Sequence, residues 1–112
     1  MGRINKIKRI VNHNRKADQV IILIEEMSEL TKELTKSLRG NRDNRANIAE
    51  ELGDVQLMLN QALIIYNIDP KVIDEVMDFK IDRTLKMIDE KEAKEKEEAS
   101  KKKEKKKDDK HQ

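Results

Sequence analysis

Apolar residues recur every three or four positions along most of this 112-residue chain, and no segment alternates apolar and polar residues for long enough to form a strand. The chain contains one Phe, one Tyr and no Trp, so its core must be built from aliphatic side chains. These two features predict an all-α protein. We expect a small helical bundle with three long helices and a short N-terminal helix.

The first half of the chain contains two of these helices. The basic segment 1–16 carries isoleucines at helical intervals, which favours a short helix there. A long helix is predicted from about Ala17 to Arg39, with Gly40 as its stop because glycine adopts the left-handed conformation common at helix ends. The apolar stripe of this helix consists of Val20, Leu23, Ile24, Met27, Leu30, Leu34 and Leu38.

Two more long helices follow the predicted turn GNRDN. Asp43 or Asn44 is expected to cap the first of them. Asp69 and Pro70 are typical of a helix cap followed by a first-turn proline, so the last helix is predicted to begin there. The stripe of the earlier helix consists of Ile48, Leu52, Val55, Leu59, Leu63 and Tyr66.

Charge divides the chain further. Residues 89–112 contain ten Lys and nine Asp or Glu with no apolar residue larger than Ala, so this tail is expected to be disordered or a solvated extension of the last helix. The helical domain is therefore assigned to residues 17–88. A domain of this size has a marginal core, which favours a homo-oligomer, either a dimer or a tetramer.

Composition limits the location and the partners. The chain has no Cys, which suits a reducing compartment, and its longest apolar runs are too short to span a bilayer. No hydrophobic stretch follows the basic N-terminus to act as a secretion signal, so a cytoplasmic location and no membrane partner are expected. Nucleic-acid binding is disfavoured because acids interleave with the tail lysines and no aromatic platform accompanies them.

Two acidic clusters have the same rotational phase on their helices. Glu26 and Glu29 lie to one side of the first long stripe, and Glu51 and Asp54 lie to the same side of the next stripe, taking about 100° per residue. Carboxylates three residues apart are neighbours on a helix, so an antiparallel hairpin could bring all four together. Four carboxylates repel one another unless cations lie between them, and oxygen ligands select Mg²⁺ or Mn²⁺.

Gly53 and the basic residues of the last helix also bear on the prediction of a metal site. Gly53, inside the second cluster, costs about 1 kcal/mol relative to Ala in mid-helix, which indicates close approach by another helix or a ligand. Lys80 falls within the apolar stripe of the last helix, with Arg83 at its margin. Lys80 could pair with the carboxylates or with phosphates of a ligand.

The segments EEMSE at Glu25 to Glu29 and ELGD at Glu51 to Asp54 resemble the EExxE and ExxD motifs of the MazG-like all-α nucleoside triphosphate pyrophosphohydrolases. The resemblance covers roughly residues 17–88. It implies Mg²⁺-dependent hydrolysis of a nucleoside triphosphate, NTP or dNTP, to the monophosphate and pyrophosphate, a nucleotide-pool housekeeping activity.

The resemblance also implies residue roles. Glu26, Glu29, Glu51 and Asp54 match the metal ligands, and Lys80 and Arg83 resemble the basic pair that contacts phosphates. Glu25, Glu26 or Glu29 could accept the proton of the attacking water, and we name Glu25 and Glu26 as candidate catalytic residues. Glu33 lies outside the motif, so Glu33→Ala is expected to change turnover little. The rival interpretation is a non-enzymatic helical oligomerisation module or an inactive relative.

Overall fold

The computed structural model describes residues 2–40 and 43–110 and contains four helices and no strand within these ranges. The helices are α1 (Arg3–His13), α2 (Lys16–Leu38), α3 (Arg45–Ile65) and α4 (Pro70–Lys110). The prediction of an all-α fold is therefore confirmed, with one short helix followed by three long ones. Residues 41 and 42 of the predicted turn, and residues 1, 111 and 112 of the predicted terminal segments, lie outside the described residues.

The end of α2 follows from local chemistry. Gly40 has a φ of 71°, the left-handed conformation that glycine adopts with least strain, so this residue stops the helix as predicted. At the start of α3, the backbone N–H of Arg45 donates to Oδ1 of Asp43 at 3.2 Å. Asn44 occupies the cap position, but its side chain does not cap the helix.

The chain divides after Asp69 into two units, the first containing α1, α2 and α3 and the second containing α4. The buried apolar side chains of the described residues all lie in the first unit, on α1 and α3: Ile7, Val11, Val55 and Met58. The predicted stripe of α3 is only partly buried, since Leu52 is 44% and Leu59 is 46% exposed. The face of α3 packed inside this unit is thus rotated from the stripe that the sequence suggested.

The helices α2 and α3 pack along each other in antiparallel directions. Side chains late in α2 meet the start of α3, and side chains early in α2 meet its end, as shown by the bonds from Asn44 to Glu33 and from Gln61 to Gln19. The helix α1 packs on α3 as well. This arrangement places the acidic clusters of α2 and α3 on neighbouring helices.

The second unit is a single helix that continues through the charged tail as far as Lys110. None of its side chains up to residue 106 is buried. Eight apolar residues in its first half are between 44% and 66% exposed: Val72, Val76, Met77, Phe79, Ile81, Leu85, Met87 and Ile88. Across the described parts of the chain, no helix combines the length and the apolar character needed to cross a membrane.

Candidate functional site

Three polar side chains on α2, Gln19, Glu26 and Glu33, are seven residues apart and therefore share one face of the helix. Successive members lie about 10 Å apart along the axis at a rise of roughly 1.5 Å per residue. Each meets polar residues of α3, and the three meeting points together form what we call the polar row. The row replaces the apolar contacts that a helix hairpin usually has at this spacing.

At one end of the polar row is the amide pair, Gln19 and Gln61, which are only 2% and 3% exposed. Nε2 of Gln61 donates to Oε1 of Gln19 at 2.8 Å. Nε2 of Gln19 donates in turn to the carbonyl oxygens of Val11 at 3.0 Å and Asn14 at 3.1 Å. The amide pair therefore joins α1, α2 and α3 through a buried network in which donors face acceptors.

The middle of the row is the carboxylate cluster, formed by Glu26 of α2 with Glu51 and Asp54 of α3. One carboxylate oxygen of each residue lies within 4.8 Å of the others. Glu26 and Glu51 are half-buried and Asp54 is exposed. Oε2 of Glu51 is buried without a hydrogen-bond partner, and no cation or amide among the described residues bonds to any of the three.

The surroundings of Glu51 disfavour its negative charge. Burial raises the pKa of the Glu51 carboxyl above its ordinary value of 4.5, and the nearby charges of Glu26 and Asp54 raise this pKa further. The more distant charge of Glu29 acts in the same direction. A proton or a cation in the cluster would relieve this repulsion.

The other end of the row is the turn pair, Glu33 and Asn44. Nδ2 of Asn44 donates to Oε2 and to the backbone carbonyl oxygen of Glu33, both at 2.8 Å. The hydrogen bond from Asn44 lowers the pKa of Glu33, and Lys36 at 3.4 Å also favours the ionised form. Glu33 thus holds the start of α3 against α2, whereas the small effect of Glu33→Ala on turnover stays a prediction.

The remaining predicted site residues are placed as follows. Glu29 lies one turn after Glu26 on α2 and outside the cluster, although its charge affects Glu51. Glu25 is exposed on α2. Lys80 and Arg83 are exposed on α4, in the second unit, and the guanidinium carbon of Arg83 lies 5.9 Å from the centroid of the Phe79 ring. Their predicted role in binding phosphates stays a prediction.

Gly53 was expected to be a point of close approach. A Cβ atom at this position would meet no atom within 4 Å among the described residues, so packing inside the chain does not require glycine here. The amide pair and the turn pair were not predicted from the sequence. The seven-residue spacing of Gln19, Glu26 and Glu33 is the signal that could have indicated them.

The donor set of the carboxylate cluster fits a hard divalent cation. All three residues offer oxygen, the ligand type that Mg²⁺ and Mn²⁺ prefer. The unpartnered Oε2 of Glu51 is an acceptor that the protein itself leaves without a donor. Glu26, Glu51 and Asp54 are therefore the residues that would hold the metal, with Glu29 near enough to influence the charge.

Comparisons of the chain with protein-family models, with curated proteins and with solved structures found no match. The resemblance to the MazG-like hydrolases therefore depends on the motif residues of the two acidic clusters. The nucleoside triphosphate hydrolysis that this resemblance implies is a proposal supported by the carboxylate cluster.

Proposed function

We propose that this protein hydrolyses a nucleoside triphosphate, NTP or dNTP, to the monophosphate and pyrophosphate in the presence of Mg²⁺. The observation that carries the proposal is the convergence of Glu26, Glu51 and Asp54 around a buried oxygen that has no partner. A cluster that contains only acceptors is unfavourable by itself and becomes favourable when a cation is bound. The resemblance of the two motifs specifies which cation-dependent reaction to test.

The reaction makes particular demands on the chain. When bound, Mg²⁺ supplies charge neutralisation on the triphosphate and a lowered pKa for a coordinated water. Glu26, Glu51 and Asp54 would hold the cation, and Glu25, Glu26 or Glu29 would accept the proton of the water that attacks the α-phosphorus. The bond from the α-phosphorus to the bridging oxygen breaks, and pyrophosphate leaves. The resemblance to the MazG-like hydrolases implies that Lys80 and Arg83 contact the phosphates.

We further propose that the protein is a homo-oligomer, either a dimer or a tetramer. The support is the set of eight exposed apolar side chains on the first half of α4, which would be costly to leave in water. Met77→Lys should shift sedimentation towards the monomer. Glu75→Gln, which changes the charge equally at a position about 160° around the helix, should not. A wild-type protein that sediments as a monomer at micromolar concentration would contradict the proposal.

The test of activity is a panel of NTPs and dNTPs with Mg²⁺ or with EDTA, with products separated by chromatography. The expected products are monophosphate and pyrophosphate, whereas diphosphate and phosphate would indicate attack at the γ-phosphorus. Performing the reaction in heavy-oxygen water identifies the attacked atom, because attack at the α-phosphorus places the label in the monophosphate. Failure of the folded wild-type protein to cleave any triphosphate would refute the enzyme proposal.

The exposed apolar side chains of α4 also support a second candidate, a non-enzymatic helical oligomerisation module. This alternative requires the apolar side chains of α4 but has no use for three converging carboxylates. Glu51→Gln distinguishes the two functions, since it should abolish hydrolysis and leave oligomerisation intact. If no hydrolysis is found and Met77→Lys disrupts the oligomer, the module is the better description.

A further inference from the structure

A cavity of about 330 Å³ lies between α1 and α3, on a side of α3 that does not carry the carboxylate cluster. We call it the Gly53 cavity. Its lining consists of Arg3, Lys6, Ile7 and Ile10 from α1 and of Gly53, Gln56, Leu57 and Asn60 from α3. Cavities of this size fall at the lower end of the range of roughly 300–1,000 Å³ found for small-molecule sites.

Without a bound ligand, the two positive charges at this cavity are arranged unfavourably. Arg3 and Lys6 are three residues apart on one face of α1, so their like charges repel. Both lie near the N-terminus of α1, whose first turn contains no acidic residue, and cations at this end oppose the helix dipole. Neither forms an ion pair with a described residue. An anion bound between them would relieve both effects.

The remaining lining residues suit the body of a small ligand. Ile7 is buried, and Ile10 and Leu57 are partly exposed, so together they offer an apolar surface. Gln56 and Asn60 are four residues apart on α3 and supply amide donors and acceptors, the groups that pair with the edges of nucleobases. Because Gly53 has no side chain, the space beside these amides stays open.

We propose that the Gly53 cavity binds a nucleoside monophosphate at a site separate from the carboxylate cluster. The phosphate pairs with Arg3 and Lys6, the base lies against the apolar side chains, and Gln56 and Asn60 bond to the base edge. Gly53 is about 100° around α3 from Asp54 and about 160° from Glu51, so the cavity and the cluster occupy different faces of the helix. Binding here therefore needs no divalent metal.

The experiment titrates the full chain with AMP, GMP, CMP and UMP by calorimetry in EDTA, with inorganic phosphate and the nucleosides as separate arms. At least one monophosphate should bind about tenfold more tightly than either fragment. The double substitution Arg3→Gln and Lys6→Gln should weaken binding about tenfold or more, because it removes two charge-assisted contacts. Gly53→Leu should abolish binding by filling the cavity, and its Cβ atom would meet no atom within 4 Å among the described residues.

The matched control is Lys8→Gln with Arg9→Gln, which removes the same charge from α1 outside the cavity. This variant should retain binding within about twofold. If both double variants lose monophosphate binding equally, the proposal is overturned, because binding would then reflect nonspecific attraction of the phosphate to the positive charge of α1. If inorganic phosphate binds as tightly as the nucleotide, the proposed role of the apolar surface is overturned. Burial of Gly53 against a neighbouring subunit of an oligomer would also overturn the proposal.

Failure of this inference is distinguishable from failure of the proposed hydrolysis. Glu51→Gln should leave monophosphate binding in EDTA unchanged, since Glu51 lies on another face of α3. If Glu51→Gln removes this binding, the monophosphate occupies the carboxylate site and the inference is wrong. If hydrolysis is absent but metal-independent binding follows the pattern above, the inference stands by itself.

Discussion

The amide pair and the carboxylate cluster lie seven residues apart on the same face of α2, yet their polar atoms differ in hydrogen bonding. At Gln19 and Gln61, donors meet acceptors in a buried chain of hydrogen bonds. At Glu26, Glu51 and Asp54, three acceptors converge and one buried oxygen has no partner. The difference indicates that the first arrangement holds the helices together, whereas the second leaves one acceptor without a donor from the described part of the chain.

This contrast separates residues that stabilise the helix pair from residues to which we assign the proposed activity. A satisfied buried network contributes to a unique packing, and breaking it costs free energy of unfolding. An unsatisfied group of like charges costs free energy in the unliganded protein, so its removal should be tolerated or favourable for folding. Substitutions at the two places should therefore have opposite effects on stability and on activity.

The largest expected effect is the loss of turnover on Glu51→Gln. The substitution keeps the shape of the side chain but removes the charge of a proposed metal ligand, so the proposed Mg²⁺-dependent hydrolysis should fall by roughly a hundredfold or more. The urea midpoint of the metal-free protein should stay the same or rise, because one of the repelling charges is gone. Turnover is measured by pyrophosphate release, and stability by circular dichroism in EDTA.

The control for this substitution is Asp18→Asn, which removes an exposed carboxylate of α2 whose ion pair with Arg15, at 3.8 Å, is largely in solvent. Its turnover should stay close to that of the wild type. If Glu51→Gln destabilises the metal-free protein as strongly as a variant of the amide pair, the distinction between the two places is wrong.

The next effect in size is the destabilisation caused by Gln61→Leu. Leucine cannot donate to Oε1 of Gln19, which is left buried without its partner, at a cost of about 1–3 kcal/mol in the free energy of unfolding. Urea unfolding monitored by circular dichroism measures the loss. The double substitution of Gln19 and Gln61 by Leu should cost less than the sum of the single changes.

A matched control for Gln61→Leu is Gln56→Leu, the same change at an exposed position of α3. It should alter the free energy of unfolding by less than about 0.5 kcal/mol. A similar loss in both variants would mean that burial of the amide pair is unimportant. Turnover of folded Gln61→Leu should be close to that of the wild type, since this residue lies outside the carboxylate cluster.

The third prediction concerns the pH dependence of stability in EDTA. Since the pKa of Glu51 is raised in the folded state, the folded protein takes up a proton before the unfolded chain does. Its contribution to stability should therefore increase as the pH falls from 7 through the folded pKa towards the ordinary value of 4.5. The urea midpoint of the wild type, compared with that of Glu51→Gln across this range, isolates the effect.

Excess Mg²⁺ should weaken this pH dependence, because a bound cation favours the ionised form of Glu51. The same addition should raise the melting temperature of the wild type more than that of Glu51→Gln. A midpoint that falls towards pH 4.5 as steeply in wild type as in Glu51→Gln would contradict the raised pKa.

The smallest expected effect is at the turn pair. Asn44→Ala removes both hydrogen bonds to Glu33, so the urea midpoint at pH 7 should fall by less than in Gln61→Leu, because this site is less buried. The pKa of Glu33 is lowered, so its contribution to stability is present above 4.5 and is lost as the pH falls through the folded pKa. The deficit of Asn44→Ala should accordingly shrink in acid, and an undiminished deficit would contradict this.

Particular residues show how far the sequence alone was informative. The bounds of α2 and the stop at Gly40 follow from local spacing and backbone preference. The matching phases of the two acidic clusters predicted that four carboxylates could meet, and three of them do, while Glu29 lies outside the cluster. The burial of Met58 and the exposure of Leu52 and Leu59 did not follow, because α3 has apolar residues on more than one side. The spacing that defines a helix does not select which side is packed.

The sequence by itself determined that this chain is helical, where α2 ends and α4 begins, and that two acidic clusters share a phase. These properties depend on contacts within a few residues, which the local order of side chains specifies. Only the tertiary structure decided that Gln19 pairs with Gln61, that Asn44 holds Glu33, and that Glu51 has a buried oxygen without a partner. Those outcomes depend on the rotation and register of α2 against α3, because hydrogen bonds between helices form only over a few ångströms.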